Sequence, residues 1–441
     1  MRTKIIVGTI LLVGVVSLFL FLRSDLHRVY LPTASGIMAK QVCSLHFISG
    51  FSHEEARALY LDPLAADFAG LIFSDIRNSD REARASIIGL YRRTAVFREG
   101  IGCSLVHDGR NFDRTLALPP GRDHKPLSID YTYRAAHFDT LALESALNTN
   151  FMQSSRNTLA IAVLHKGRLI AERYADGITA ATPLHGWSMT KSLAATLAGA
   201  MVHRGEIELD EKGILNNSRL HELTLDHLLR MNTGLDITET SDGWDPNSKM
   251  LFTQADMADW ASHRDMLYKP GEKWEYMSGN TVLAMRAMQN RLGETLGNQI
   301  AGLRERVFEP LDIYSAIFET DEAGTLQGSS YMYATAHDWA RLGQLYLNKG
   351  MAGNERILPE NWMDIVTTPT PGSGQGYGLG FWLGRPGAGA PAEGFYMSGF
   401  QGQVVYIFPD QELVVVRLGA TNRTNDGGYT LAAEVLEALI Y

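Results

Sequence analysis

Gly186-Trp187-Ser188-Met189-Thr190-Lys191 is the stretch on which the reading of this chain turns. It opens an Ala/Leu/Met-rich run from residue 188 to 203 that ends at Arg204-Gly205, which predicts a helix with a basic last turn and a glycine stop. At the start of such a helix Ser188 would ordinarily be an N-cap. Lys191 does not fit that role, because a capping box calls for Glu or Gln three residues on, and a cation in the first turn opposes the helix dipole. A spacing of three instead puts the amine one turn from the hydroxyl on the same helix face. Burial and the positive helix end both disfavour the ammonium form, so Lys191 becomes a candidate neutral base for a Ser188 nucleophile. The chain holds no other Ser-x-x-Lys.

Two later segments carry compatible chemistry. Trp274-Glu275-Tyr276-Met277-Ser278-Gly279-Asn280 leads into a helical pattern over residues 281–289. A phenol at Tyr276, placed between serine and leaving group, can relay a proton if a nearby cation lowers its pKa. Ser398-Gly399-Phe400-Gln401-Gly402-Gln403 runs into the penultimate strand. Glycines beside a strand let a substrate approach the backbone, and exposed N–H groups there can stabilise an oxyanion.

In this order, the three segments resemble the active site of the serine β-lactamase and penicillin-binding superfamily, in its class C-like branch. The similarity is strongest to esterase and amidase members related to 6-aminohexanoate-dimer hydrolases, which share a Tyr-x-Ser second motif as at Tyr276 and Ser278. Residues 228–235 (LLRMNTGL), Lys269-Pro270-Gly271 and residues 336–343 (AHDWARLG) support the resemblance, which covers about residues 150–441. It implies an acyl-enzyme on Ser188, with Lys191 accepting its proton and Tyr276 passing a proton to the leaving group. Backbone N–H groups of Ser188 and near Phe400, with Gly399 and Gln401, would form the oxyanion and substrate-binding edge, and Ser278 would hydrogen-bond the lysine or the substrate. Two departures count against β-lactam hydrolysis: no basic residue stands in the third motif, and Ser278 replaces the usual Asn. The expected substrate is a small-molecule or short-peptide amide or ester, with no metal or organic cofactor. The alternatives are a catalytically silent binding protein of the cell envelope on the same fold, and a weak β-lactamase or DD-peptidase. Trp187, Trp244 and Tyr377 are candidate pocket walls, and His185 is the histidine nearest the serine.

Outward from this site, residues 159–164 and 169–174 around His165-Lys166-Gly167-Arg168 read as a hairpin. Residues 403–408 and 413–418 read as two more strands, and 431–439 as a closing helix. Strands at both ends with helices between predict an α+β fold: an antiparallel sheet flanked by N- and C-terminal helices, with an all-helical insertion at about 205–350. Residues 50–60 and 80–93 look helical, and Leu118-Pro119-Pro120-Gly121 closes the N-terminal region. The Gly/Pro-rich stretches 370–380 and 385–394 are candidate lids or surface connections. Three parts follow: residues 1–30, 31–140 and 141–441.

Residues 5–22 carry no charge and are long enough to cross a hydrocarbon core, with Arg2 and Lys4 before them and Arg23 and Arg28 after. No small-x-small cleavage site follows, so an uncleaved signal anchor with the body outside the cytoplasm is expected. Cys43 and Cys103 are the only cysteines. They read either as two buried thiols or as one disulfide, which an oxidising compartment favours. Two cysteines exclude Cys-rich metal modules, and a net charge of −9 over 441 residues without a long basic run argues against a nucleic-acid partner.

Overall fold

The computed structural model describes all residues except 1, 110–111, 120–125, 241, 385–389, 423–425 and 441. Part of the expected 118–121 turn and of the 385–394 loop therefore lies outside the described residues.

The body of the molecule is organised by a six-stranded antiparallel sheet. The hairpin Thr158–His165 and Arg168–Tyr174 supplies one edge, and Leu413–Gly419, Gln403–Phe408, Phe395–Gly399 and Trp382–Leu383 complete it in that order. Strands far apart in the sequence thus become neighbours, with Val415 opposite Val163. Period-2 alternation sorts the side chains of these buried strands between two cores. Ile161, Val163, Val404, Tyr406, Leu413 and Val415 face the helices Thr140–Met152 and Asp426–Glu437. Ala160, Ala162, Leu164, Val405, Ile407, Val414 and Val416 face the larger core on the other side. A strand covered on both faces has no polar side to show, which explains the continuous apolar runs in the sequence.

Between the hairpin and the last strands lies the helical part, including Thr190–His203, Ser278–Leu292 and Ala336–Leu347. The insertion is not wholly helical. Ile317–Phe318 and Met332–Ala334 form a small antiparallel sheet with Leu184–His185, and that sheet sits under the serine.

The N-terminal extension holds the helix Leu31–Phe47 and a four-stranded antiparallel sheet, Ile72–Arg77, Glu82–Ile87, Leu90–Arg98 and Gly102–Val106. The helix expected over 80–93 is a hairpin instead. Its two-residue turn, Ile88-Gly89, has φ of 49° and 77°, the positive pair that matches the twist of the flanking strands. Ala83, Ala85 and Ile87 are buried at alternate positions, so tertiary burial overrides the helix propensity of Glu, Ala and Arg. Cys43 and Cys103 are joined in a disulfide that ties the Leu31–Phe47 helix to the last strand of this sheet.

Arg2–Arg23 is a continuous helix, and Leu11, Leu12, Val15, Leu18 and Leu20 on it are exposed. Among the described residues no helix is long and apolar enough to cross a membrane. The side chains of residues 5, 8 and 10, which belong to the expected anchor, lie outside the described set.

Candidate active site

Gly186 leaves the small sheet with its N–H on the Met332 carbonyl at 2.9 Å. It is pressed against Trp339, whose ring a Cβ at this position would meet at 2.2 Å, so only glycine fits. Trp187 then takes a left-handed φ of 48°, a costly conformation for a bulky residue. It is held there by its Nε1–H on Gln401 Oε1 at 3.2 Å and by ring contacts with His185 and Phe400. The turn Trp187–Met189 leaves Ser188 half-exposed between buried neighbours. Ser188 does not cap the helix Thr190–His203; the N-cap is Met189, with no side-chain cap bond. Its hydroxyl is directed elsewhere.

That hydroxyl lies 3.0 Å from Lys191 Nζ. The amine also reaches Ser278 Oγ at 3.0 Å and the Ser329 carbonyl at 2.9 Å. Lys191 is 2% exposed, and burial lowers its pKa to about 8, with the nearby Glu239 carboxylate pulling the other way. A lysine so placed spends an appreciable fraction of its time as a free amine near neutral pH. Lys191 Nζ sits 4.8 Å over the ring of Tyr276. The tyrosine departs from the sequence expectation of a depressed pKa. Burial first, then the charge on Glu239, hold it well above the ordinary phenol value, while a hydrogen bond with the Ser188 hydroxyl works in the opposite direction. Tyr276 is therefore a neutral O–H throughout the ordinary pH range, a donor to a leaving group rather than a base at rest.

Ser278 is the first residue of the helix Ser278–Leu292 and 1% exposed. Its N–H and its hydroxyl both donate to Glu239 Oε2, at 2.6 and 2.9 Å. Glu239 is half-buried, and it is a carboxylate of this cluster that the sequence did not single out. Nothing in its neighbourhood, Asp236-Ile237-Thr238-Glu239, marks it except that it follows the stretch 228–235. That stretch is itself part of the site wall: Met231 and Asn232 carbonyls accept from Glu275 and Gly271 N–H at 2.8 and 2.7 Å, which fixes the approach to Tyr276.

The third motif divides. Gly399 ends a sheet strand against the Trp187–Met189 turn, where a Cβ would lie 2.3 Å from the Gly186 carbonyl oxygen. Phe400 is half-buried with its ring edge-on to Trp187 at 5.4 Å. These two stand beside the serine. The Gln401 side chain is turned away and fully buried, bonding Trp187 Nε1 and donating to the Tyr60 carbonyl at 3.1 Å. It braces the turn against the N-terminal extension rather than lining the pocket. The buried Arg417 supports the same turn through the Gln401 and Gly402 carbonyls, at 3.2 and 2.8 Å.

Of the proposed walls, Tyr377 packs edge-on to Tyr276 at 5.8 Å and, with Trp274 and Trp382, makes an aromatic side to the site. Its loop is no loose lid, since Ser192 Oγ donates to the Gly380 carbonyl at 2.6 Å. Trp244 stacks on Tyr30 at 4.4 Å, in the N-terminal region, and Tyr30 is its ring partner there. His185 is buried, faces Ser330 O at 2.7 Å and Gln41 Nε2 at 3.3 Å, and lies flat on Tyr333. Burial holds its pKa well below the usual imidazole value, so it is a neutral strut beneath the Ser329-Ser330 turn.

The beta-lactamase family model matches residues 143–440, which takes in the whole of the six-stranded sheet. This chain belongs to the beta-lactamase family. It is similar over 229 residues, at 24% identity, to the 6-aminohexanoate-dimer hydrolase of Paenarthrobacter ureafaciens. The match takes in 47% of this chain and 57% of that protein, so it spans little more than half the length of the curated relative. A solved chain provisionally assigned as a 6-aminohexanoate-dimer hydrolase from Bacillus anthracis shares the fold with a TM-score of 0.56 and 22% identity, over 76% of this chain and 90% of its own. A provisionally assigned beta-lactamase from Bacteroides dorei does so with a TM-score of 0.55 and 18% identity, over 68% and 99%.

Proposed function

We propose that the protein is a membrane-anchored serine hydrolase that cleaves an amide or ester through an acyl-enzyme on Ser188. The observation that carries this reading is a half-exposed serine hydroxyl 3.0 Å from a buried lysine amine whose pKa lies near 8. The neutral Lys191 amine takes the Ser188 proton as Oγ attacks the substrate carbonyl carbon, and the carbonyl π pair moves onto oxygen. N–H groups of Ser188 and the Gly399-Phe400 backbone receive that oxyanion. When the tetrahedral adduct collapses, the bond to the leaving nitrogen or oxygen breaks, Tyr276 gives the leaving group its proton, and the Lys191 ammonium reprotonates Tyr276. Water then attacks the ester by the same steps in reverse, releasing the acid and restoring Ser188.

An amide substrate of small-molecule or short-peptide size is supported by the similarity to a 6-aminohexanoate-dimer hydrolase. The disulfide between Cys43 and Cys103 supports a body outside the cytoplasm. The proposed anchor rests on the uncharged run of residues 5–22 in the sequence.

Intact-mass measurement after treatment with a fluorophosphonate tests the chemistry. Wild type gains one adduct and Ser188→Ala gains none. An unlabelled wild type rejects the hydrolase, and a labelled Ser188→Ala rejects the nucleophile. A panel of p-nitrophenyl esters, short amides, D-Ala peptides and nitrocefin then ranks the substrate classes. Release of the full chain from membranes by alkaline carbonate would reject the anchor.

A further inference from the structure

We infer that Glu239 is a positioning residue that aims the Lys191 lone pair at Ser188 by fixing the direction of the Ser278 hydroxyl. The inference rests on the serine-hydrolase reading above and adds to it a residue outside the three motifs.

The argument is a count of donors and acceptors around one nitrogen. A neutral lysine amine has two N–H bonds and one lone pair. Lys191 Nζ has three oxygen partners within hydrogen-bond distance: Ser188 Oγ, Ser278 Oγ and the Ser329 carbonyl. A carbonyl can only accept, so Ser329 takes one N–H. A hydroxyl can donate or accept, and left to itself Ser278 would have a choice. Glu239 removes it. A carboxylate only accepts, and Oε2 lies 2.9 Å from Ser278 Oγ, so the hydroxyl proton points at Glu239 and the oxygen is left to accept the second N–H of Lys191. Both N–H bonds are then committed, and the lone pair faces the third partner, the Ser188 hydroxyl.

The carboxylate is itself well anchored. The Ser278 N–H at 2.6 Å holds the same oxygen at the first turn of the helix Ser278–Leu292, where negative charge is favoured. One hydroxyl touches both groups, so carboxylate and amine are within about 6 Å, close enough for the charge to stabilise the ammonium formed when Ser188 gives up its proton. The titratable groups facing Lys191 are Glu239, which favours its charged form, and the Tyr276 ring; Tyr276 is in turn faced by Tyr377 and Tyr429.

The test is the second-order rate of fluorophosphonate labelling of Ser188, followed by intact mass from about pH 5.5 to about pH 10. The full chain is compared as wild type, E239Q, E239A, S278A and S278A/E239A. Wild type rises with pH to a plateau as Lys191 loses its proton. E239Q loses the charge but keeps an oxygen that can accept from Ser278. Its rising limb moves down by about one pH unit, as expected for a unit charge about 6 Å away at an effective dielectric of about 40, with a plateau lowered only about threefold. E239A shows the same displacement of the limb, but its plateau falls about thirtyfold, because the freed Ser278 hydroxyl can donate into the lysine lone pair. In the S278A background the plateau penalty of E239A disappears while the displacement of the limb remains. A merely structural role would lower every rate without moving the limb. An E239Q profile that superimposes on wild type, or an E239A penalty that persists in S278A, overturns the inference. A wild type that does not label at all overturns the hydrolase reading instead.

Discussion

A buried ion pair helps to join the N-terminal extension to the body carrying the six-stranded sheet, and breaking it from either side has a calculable consequence. Lys40, on the helix Leu31–Phe47, meets Glu319, just after the strand Ile317–Phe318, with side-chain exposures of 2% and 0%. Glu319 also accepts from Ser44 Oγ at 2.8 Å and from the Cys103 N–H at 2.6 Å. Lys40 has Ser44 Oγ at 3.2 Å and the Tyr331 ring at 4.1 Å. Burial lowers the pKa of Lys40 and raises that of Glu319, and each charge opposes the change in the other.

In Lys40→Met the carboxylate has no cation and can escape by taking up a proton. Neutralising a carboxyl of ordinary pKa 4.5 at pH 7 costs at most about 3.4 kcal/mol, which is the ceiling on this penalty. In Glu319→Gln the stranded ammonium must give up its proton against an ordinary pKa of 10.5, a ceiling of about 4.8 kcal/mol. Both sit in the range for half-broken buried pairs, about 3–5 kcal/mol, and the double variant recovers most of the loss.

The signs differ with pH. In Lys40→Met the folded state binds a proton that the unfolded chain lacks, so the penalty grows as pH rises above 4.5, until the folded carboxyl itself ionises, and shrinks as pH falls toward 4.5. In Glu319→Gln the folded state has lost a proton that the unfolded chain keeps, so the penalty shrinks as pH rises toward 10.5. Urea unfolding of the full chain, read at about pH 5, 7 and 9 with the two single variants and the double, measures all of this. Single-variant penalties below about 1 kcal/mol at pH 7, or pH slopes of the opposite sign, would refute the reasoning.

Other consequences are checked more simply. Labelling or hydrolysis at Ser188 should rise about tenfold from pH 6 to pH 7 and level off above a midpoint near 8, since the base form of Lys191 is the active one; a rate that falls over that range contradicts the assignment. Gly399→Ala should lower kcat/KM by at least about a hundredfold, because its Cβ would sit 2.3 Å from the Gly186 oxygen and push the third motif off the serine turn. Near-normal turnover of that variant would mean the strand end has no part in the site. Replacing Cys43 and Cys103 together by Ala should cost about 4 kcal/mol for the 60-residue separation they close, read as a fall in urea midpoint. Free thiols found in a non-reducing peptide map of the wild type would contradict the bridge.

The strand cores at residues 159–164, 404–408 and 413–416 are legible because a strand buried on both faces is apolar on both. The hairpin at 82–98 was not, because Glu-Ala-Arg-Ala-Ser-Ile and the Arg pair after it have helix-forming composition, and only burial of alternate residues reveals the strand. The broken helix rule at Lys191 singled out a pair that the structure brings together, with the Ser188 hydroxyl on the Lys191 amine and no cap at the helix start. Gln401, by contrast, sits inside the third motif yet is a brace, and only its bonds to Trp187 and Tyr60 show that.

By itself, then, the sequence determined the chemistry carried over short range: a serine and a lysine one helical turn apart, a tyrosine and serine at a helix start, a glycine at a strand end. Covalent spacing and helix geometry are enough to specify those relations. The tertiary structure decided what depends on long-range proximity. Burial sets the Lys191 pKa near 8 and keeps the Tyr276 phenol protonated. Glu239 reaches Ser278 across 39 residues, and Gln41 and Lys40 brace the floor of the site from the far end of the chain. Desolvation and hydrogen-bond direction are properties of packing, and no local pattern in the chain encodes them.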